Sequence, residues 1–195
     1  MIVVKLGGSL YNAPELRIWI QILADYSSLT ILIVPGGGPF ADQVRAAQKE
    51  HHFDDDIAHH MALLAMKQFG LTLTGLDVRC LPFDPHGPIK SLSVWLPDDT
   101  LLAETDLPHS WDLTSDSLAL WISAKLRAEQ LLLVKQINVK TSSIQKLTED
   151  NVIDPQFSSL FSQHPIQTQI IHSKSYQRFA NVVSQHNPKT KLYLP

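Results

Sequence analysis

The sequence predicts an α/β fold, a three-layer αβα sandwich built around a mainly parallel sheet. Short apolar runs alternate along the chain with segments whose apolar residues recur at helical spacing, which is the pattern of strands joined by crossover helices. Glycine clusters follow the first two apolar runs, at the strand ends where ligands bind in sheets of this kind. The 195 residues are enough for one compact fold with a sizeable core.

The predicted strands are short apolar runs that end at a turn signal. The first, residues 2–6, stops at Gly7-Gly8, and the second, residues 31–34, stops at Pro35. The other predicted strands are residues 91–96, 131–135, 168–172 and 191–194. Because these runs alternate with helices, we expect a mostly parallel sheet that is covered on both faces.

The predicted helices occupy the segments between the strands. They cover residues 14–26, 40–50, 55–76, 117–128, 155–161 and 175–184. Pro39 suits the first turn of the second helix, where a missing N–H costs no hydrogen bond. Within the third helix, residues 71–74 also fit a strand, and the local pattern does not decide between the two.

Charge and composition exclude several classes of protein. The formal net charge of −3 provides no electrostatic surface for nucleic acid. The single cysteine, Cys80, rules out an internal disulfide and a zinc ribbon. The chain begins with an apolar strand rather than a signal peptide, and no run reaches the roughly 18 apolar residues of a membrane span. We therefore expect a cytoplasmic protein without a nucleic-acid or membrane partner.

Lys5 lies in the first predicted strand, which Gly7, Gly8 and Ser9 follow. A buried ammonium group needs a partner, and glycines beside it let a ligand approach backbone N–H groups closely. Phosphate is the ligand that this combination favours. The alternative is a lysine on an exposed strand edge before an ordinary turn, and these residues alone leave both open.

Gly36, Gly37 and Gly38 lie between the second predicted strand and the next helix. Amide groups at a helix N-terminus bind anions, so the cluster predicts an anion cradle, with a ligand-free tight turn as the alternative. Gly36, Gly38 and Ala41 also match the dinucleotide fingerprint G-x-G-x-x-G/A. The acidic residue of that motif should end a second strand, and residues 40–56 show none, so a nicotinamide or flavin site is disfavoured.

Thr114, Ser115 and Asp116 precede a strongly predicted helix. All three are good N-cap residues, so a structural role is one interpretation. The other is that Asp116 reaches the phosphate site and pairs with Lys5, which would keep the ammonium group charged and oriented.

Two further groups of residues carry weaker signals. Lys135, Asn138 and Lys140 follow a predicted strand and could contact a nucleotide, although lysines in a solvated loop are the commoner explanation. His59 and Asp55 lie one helical turn apart, as metal ligands can, but no third ligand is evident. We therefore predict no metal site and interpret His59 as a substrate contact or part of a polar helix face.

Three ordered segments resemble the amino acid kinase superfamily: Val4-Lys5-Leu6-Gly7-Gly8-Ser9, Val34-Pro35-Gly36-Gly37-Gly38 and Thr114-Ser115-Asp116. Their order and approximate spacing are similar to the family's, and the resemblance runs over most of the chain. The family includes acetylglutamate, carbamate, aspartate, uridylate and isopentenyl-phosphate kinases. The resemblance implies a sandwich fold, usually dimeric, that transfers the γ-phosphate of ATP, with Mg²⁺ on its phosphates, to a small anionic acceptor.

On the donor side, the resemblance implies that Lys5 contacts the transferring phosphoryl group and that Asp116 orients this lysine. Gly7, Gly8 and Ser9 would line the β- and γ-phosphates. The chain shows neither a Walker A motif nor a protein-kinase signature, so we expect neither a P-loop enzyme nor a protein kinase.

On the acceptor side, the resemblance implies that Gly36, Gly37 and Gly38 hold the anion of the acceptor. Ser115 would lie where acceptor and nucleotide meet. Further segments look like a branch of the family in one-carbon metabolism, the methanofuran-biosynthesis kinase, which phosphorylates an aminomethylfuran-methyl phosphate. These segments are Pro39-Phe40-Ala41-Asp42, His59-His60-Met61-Ala62 and Ser110-Trp111-Asp112.

The second half departs from the family pattern. We expect residues 1–134 to form the acceptor-binding and catalytic lobe and residues 135–195 a short nucleotide-binding lobe. The family's later glycine-rich segment with a second catalytic lysine is not visible, and Asp154-Pro155-Gln156-Phe157 stands roughly where it is expected. This gap favours the alternative function, a non-catalytic nucleotide-binding, storage or regulatory protein, whereas the intact Lys5 and Asp116 favour the kinase.

Overall fold

Six strands form one sheet in the computed structural model, which describes residues 1–26, 28–87 and 90–186. The strands are β1 (Ile2–Leu6), β2 (Ile31–Pro35), β3 (Leu81–Pro82), β4 (Leu92–Val94), β5 (Gln130–Lys135) and β6 (Gln167–His172). Their order is β3-β4-β2-β1-β5-β6, and every neighbouring pair is parallel. Helices cover both faces, so the predicted αβα sandwich is confirmed.

Seven α-helices connect these strands within the described ranges. They are α1 (Glu15–Asp25), α2 (Gly38–His51), α3 (Asp55–Leu76), α4 (Ser115–Lys125), α5 (Ile144–Glu149), α6 (Pro155–Gln163) and α7 (Tyr176–His186). Short 3-10 helices add Gly8–Asn12 and Asp99–Ala103. The sequence analysis did not predict β3 or α5, because two and six residues are too few to show a period. The strand predicted at 191–194 lies outside the described residues.

The structure resolves the ambiguity at residues 71–74 in favour of a helix. Leu73 is fully buried in the core, so helical packing stabilises this end of α3. The hydroxyls of Thr72 and Thr74 donate back to carbonyl oxygens of the preceding turn. Tertiary packing outweighs the strand propensity of the two threonines.

Alternation along β1 divides its side chains between the two faces of the sheet. Ile2, Val4 and Leu6 pack in the core formed with α1 and α7, whereas Val3 packs in the core formed with α4 and α6. Lys5 follows Val3 by two residues and therefore faces the α4 side. An ammonium group thus lies near the carboxyl end of a central strand, under the first turn of α4.

The turns after β1 and β2 contact each other backbone to backbone. The Gly36 N–H donates to the Leu6 carbonyl oxygen at 2.8 Å. A Cβ atom at Gly8 would lie 2.7 Å from the Gly38 nitrogen, and one at Gly36 would lie 2.8 Å from the Gly8 Cα. Neither position has room for a side chain, so the meeting of the two turns requires glycine.

We expect Gly36→Ala to destabilise the fold, because its methyl group would overlap backbone atoms that no rotamer change can move. The free energy of unfolding should fall by about 1–3 kcal/mol, the cost of overpacking. Gly75→Ala is the matched control, since a Cβ there meets no atom within 4 Å and alanine favours the helix. Urea unfolding measures both, and equal stability of the two variants would contradict the close approach.

Candidate active site

A buried carboxylate joins two lysines at the carboxyl ends of β1 and β5. Asp116 lies in the first turn of α4, and its two oxygens pair with the Lys5 Nζ at 2.7 Å and with the Lys135 Nζ at 2.5 Å. The Lys135 ammonium also donates to the Val152 carbonyl oxygen. Asp116 and Lys5 are each 4% exposed. The structure therefore brings together two residues that the sequence analysis paired, and adds Lys135 to them.

Charge is unevenly balanced in this trio of Asp116, Lys5 and Lys135. Burial alone would raise the pKa of Asp116, but the two lysines outweigh burial and lower the pKa below its ordinary value. Burial and the charge of Lys5 lower the pKa of Lys135, against the opposing effect of Asp116. Two ammonium groups thus face the ionised Asp116 carboxylate in a place with little solvent, and the Asp154 carboxyl group, which also acts on Lys135, is a second acidic group nearby. The ammonium groups favour an anion beside them.

Two cavities meet at the turn after β1. The first, here called the lysine cavity, has a volume of about 420 Å³ and is lined by Lys5, Lys135 and Gly7. The second, the α2–α3 cavity, has a volume of about 400 Å³ and lies between those helices. Gly8 and Ser9 line both cavities. A group bound in one cavity therefore lies next to a group bound in the other.

The α2–α3 cavity contains most of the residues predicted to bind the acceptor. Gly37 and Gly38 line it at the start of α2, Ser115 at the start of α4 and His59 on α3. Gly36 does not line it and instead packs against the first turn, as described above. The cavity is thus lined by the glycine turn at the sheet and by residues of α2, α3 and the loop before α4.

A third cavity, the β5–β6 cavity, has a volume of about 630 Å³ and lies over the last two strands. Its wall includes Phe157 and Phe161, whose rings stack with centroids 6.1 Å apart, and Lys140 and Arg178 are among its polar residues. Asn138 is exposed and lines none of the three cavities. Of the residues predicted to contact a nucleotide, Lys135 and Lys140 therefore lie at cavities and Asn138 does not.

The N–H and carbonyl groups of Gly7 both form hydrogen bonds within the fold. Its N–H donates to the Val134 carbonyl oxygen at 3.0 Å, and its own carbonyl oxygen accepts from the Leu10 N–H at 3.0 Å. Gly7 therefore ties the turn after β1 to β5 and gives the lysine cavity its shape, rather than presenting a bare amide to a ligand.

The chain is 26% identical to the (5-(aminomethyl)furan-3-yl)methyl phosphate kinase of Methanocaldococcus jannaschii, over 213 aligned positions that cover 98% of this chain and 97% of that protein. No family model matches the chain. The structure is similar to uridylate kinase from Archaeoglobus fulgidus, with a TM-score of 0.68, 14% identity and coverage of 94% and 95%. It is also similar to an isopentenyl phosphate kinase, with a TM-score of 0.56, 16% identity and coverage of 89% and 91%. The relative and the two structural neighbours are thus all named as kinases, and they support the predicted resemblance to the amino acid kinase superfamily. At identities of 14% and 16%, the solved structures support the fold alone. The alignment with the Methanocaldococcus jannaschii kinase covers nearly the whole of this chain and of that protein.

Asp154 holds the candidate site together, a role that the sequence analysis did not assign to it. Its buried carboxylate accepts from the Thr114 N–H at 3.0 Å and hydroxyl at 2.7 Å, and from the Ser117 N–H at 3.0 Å and hydroxyl. It also accepts from the Phe157 N–H at 3.1 Å, so one side chain caps both α4 and α6. The bonded residues flank Asp116 on both sides, which fixes the turn that carries it.

The Asp-Pro pair at 154–155 is a signature of a helix start, and the helix predicted from it is confirmed as α6. The contact with α4, whose start lies 40 residues earlier, depends on how the two helices pack. Within the described ranges, no group of three or more metal-ligating side chains occurs. None of the described helices is long and apolar enough to cross a membrane.

We expect Asp154→Ala to destabilise the protein by about 2–4 kcal/mol, because it removes the caps of two helices and leaves buried donors unpaired. Asp54→Ala is the matched control, since Asp54 is exposed and caps α3 through a single bond to the Ile57 N–H. Its cost should be about 1 kcal/mol. Urea unfolding curves give both values, and equal losses would show that Asp154 does not join the two helices.

Proposed function

We propose that this protein is an ATP-dependent kinase that transfers the γ-phosphate of ATP to a small acceptor carrying a phosphate group. The observation that carries the proposal is the buried trio of Asp116, Lys5 and Lys135, which lies beside the turn shared by two cavities. Two fixed ammonium groups neutralise charge on a phosphoryl group that passes from one cavity to the other. The sequence relative, which is named as a phosphate kinase, supports the same reaction class.

The donor nucleotide would bind on the side of the molecule that includes residues 135–186. Its phosphates would occupy the lysine cavity, and its base the β5–β6 cavity, whose stacked Phe157 and Phe161 suit a flat ring. Lys140 also lines the β5–β6 cavity, where it would be near the phosphates or the ribose. On this proposal residues 1–134 bind the acceptor and carry the catalytic lysine, as the sequence predicts.

Magnesium would be held by the phosphates of ATP rather than by the protein. Both oxygens of Asp116 are already paired with lysines, and the described part of the chain offers no cluster of three metal-ligating side chains. When bound, the ion would neutralise part of the polyphosphate charge.

The acceptor fits the α2–α3 cavity. Its anionic group would lie at Gly37 and Gly38, beside the start of α2, where amides and the helix dipole favour negative charge. Ser115 would contact it from the start of α4. A cavity of about 400 Å³ suits a small ring with short substituents. We propose a furan-methyl phosphate, the class named for the relative, and with it a role in one-carbon cofactor biosynthesis as the sequence resemblance implies.

The chemistry needs no general base, because an acceptor phosphate oxygen is already anionic at neutral pH. That oxygen forms the new bond to the γ-phosphorus while the bond to the bridging oxygen breaks, and ADP leaves with the electron pair. The protein's task is to align two anions and to offset their repulsion. Asp116 is ionised and bonded to both lysines, so its role is to hold Lys5 and Lys135 in place.

On this proposal Lys135 has the role of the second catalytic lysine of the family. In the family that lysine belongs to a later segment of the chain, whereas Lys135 lies at the end of β5, next to β1. Its Nζ is fixed by Asp116 and by the Val152 carbonyl oxygen, and its side chain is only 15% exposed.

Lys5→Ala and Lys135→Ala should each lower the rate of ADP release by about 10²–10³, the usual cost of losing one preorganised charge-stabilising group. The double variant should lose little more than the worse single variant, because both groups act on one phosphoryl group. Lys146→Ala is the matched control, since this exposed lysine pairs with Asp150 on the surface. The assay uses Mg·ATP with a panel of small phosphates and carboxylates.

Unchanged turnover of Lys5→Ala would overturn the mechanism. The alternative, a non-catalytic nucleotide-binding, storage or regulatory protein, predicts nucleotide binding to the wild type without ADP release for any acceptor in the panel.

The expected homodimer and the cytoplasmic location stay predictions. α3 offers a face for a dimer, because Ile57, Leu64 and Leu71 are exposed at seven-residue intervals along it. Gly75 continues that face, and a neighbouring helix could approach closely there since a Cβ atom would meet nothing.

A further inference from the structure

Asn151 adopts a left-handed backbone conformation just after α5, with a φ of 53°. Its N–H donates to the Thr148 carbonyl oxygen at 3.0 Å, and the Val152 N–H donates to the Leu147 carbonyl oxygen at 2.8 Å. These two bonds end the helix. Glycine and asparagine are the residues that adopt this conformation most readily, so the turn accounts for the backbone of Asn151.

The turn at Asn151 leads directly to a backbone group that holds Lys135. The carbonyl oxygen of the next residue, Val152, accepts from the Lys135 Nζ. Val152 is buried in the core formed with α4 and α6, so this carbonyl oxygen has a fixed position. Asn151 is therefore the neighbour of a residue that orients one of the two ammonium groups of the lysine cavity.

The side chain of Asn151 lines the lysine cavity and is not used by the fold. It is exposed, and its carboxamide forms no hydrogen bond with another residue that the structure describes. His52 and Arg127 are the other two described non-glycine residues with a positive φ, and both also lie at the end of a helix. Neither of them lines any of the three cavities. Ending a helix thus does not explain why this turn places a carboxamide in the wall of a cavity.

The polar side chains in the wall of the lysine cavity can all donate hydrogen bonds. They are the ammonium groups of Lys5 and Lys135, the hydroxyl of Ser9 and the carboxamides of Gln136 and Asn151. No described residue in this wall is acidic. Such a wall suits a polyphosphate, because each group can donate to a phosphoryl oxygen and none of them repels it.

We propose that Asn151 is a further catalytic residue, whose carboxamide N–H donates to the terminal phosphoryl group of the donor while Lys5 and Lys135 offset its charge. The inference rests on the proposed function and adds a residue to it. The carboxamide keeps its protons throughout: the acceptor oxygen bonds to the γ-phosphorus, the bond to the bridging oxygen breaks, and ADP leaves with the electron pair. Asn151 therefore acts by stabilising charge and by orienting the phosphoryl group.

Asn151→Gly separates the side chain from the turn, because glycine adopts a positive φ without strain. The urea midpoint should stay unchanged, whereas kcat/KM for Mg·ATP should fall about 10²-fold, the usual cost of one lost donor. ADP release with (5-(aminomethyl)furan-3-yl)methyl phosphate as acceptor gives this value. Calorimetry should show binding of a non-hydrolysable Mg·ATP analogue weakened about 10-fold and the Kd of Mg·ADP unchanged, since only the analogue carries the terminal phosphate.

Two further variants complete the experiment. Asn151→Asp keeps the size of the side chain and tolerates the turn, but its negative charge repels a phosphate, so it should lose more activity than Asn151→Gly. Arg127→Gly is the matched control, because Arg127 has a φ of 52°, is exposed and precedes β5 at the end of that strand opposite Lys135. It should keep the wild-type activity and both Kd values.

Wild-type kcat/KM together with the wild-type Kd of the analogue in Asn151→Gly would overturn the inference and leave Asn151 as a turn residue only. Equal weakening of the analogue and of Mg·ADP would overturn it as well. Failure of the proposed function has a different signature, which is nucleotide binding to the wild type without ADP release. In that case the calorimetric comparison of the two nucleotides still decides whether Asn151 contacts the terminal phosphate.

Discussion

The structure depends on one interaction, the buried carboxylate of Asp116 held between the ammonium groups of Lys5 and Lys135. Each charge is expensive to bury alone. Both lysines stabilise the ionised Asp116, and Asp116 in turn stabilises each lysine against the repulsion of the other. Within the trio two ammonium groups face one carboxylate. The two ammonium groups can therefore also stabilise an anion that binds beside the trio.

The framework around the trio explains why it can form. Lys5 and Lys135 lie on neighbouring parallel strands and face the same side, because Lys5 is in register with Leu133 and Lys135 follows by two residues. α4 places Asp116 over them, and Asp154 fixes the start of α4 through Thr114 and Ser117. The contact between the two glycine turns then brings the α2–α3 cavity and the lysine cavity to a common wall at Gly8 and Ser9.

The strand and helix pattern made most of this fold predictable, including the sheet edge where the glycine turns gather. Long elements with clear periods were predicted to within a few residues, whereas β3 and α5 were too short to show one. The pairing of Lys5 with Asp116 was an interpretation that the family resemblance supported. Lys135 was placed with the nucleotide contacts, because the sequence does not state the register between β1 and β5. The bonds from Asp154 to the start of α4 and the unpaired Nε2 of His59 are products of packing, and no local sequence signal marks them.

A crystal structure with a non-hydrolysable Mg·ATP analogue tests the central claim most directly. The account predicts the terminal phosphate of the analogue within hydrogen-bond distance of both Lys5 Nζ and Lys135 Nζ, with Asp116 still bridging them. A nucleotide whose terminal phosphate lies away from both ammonium groups would contradict it.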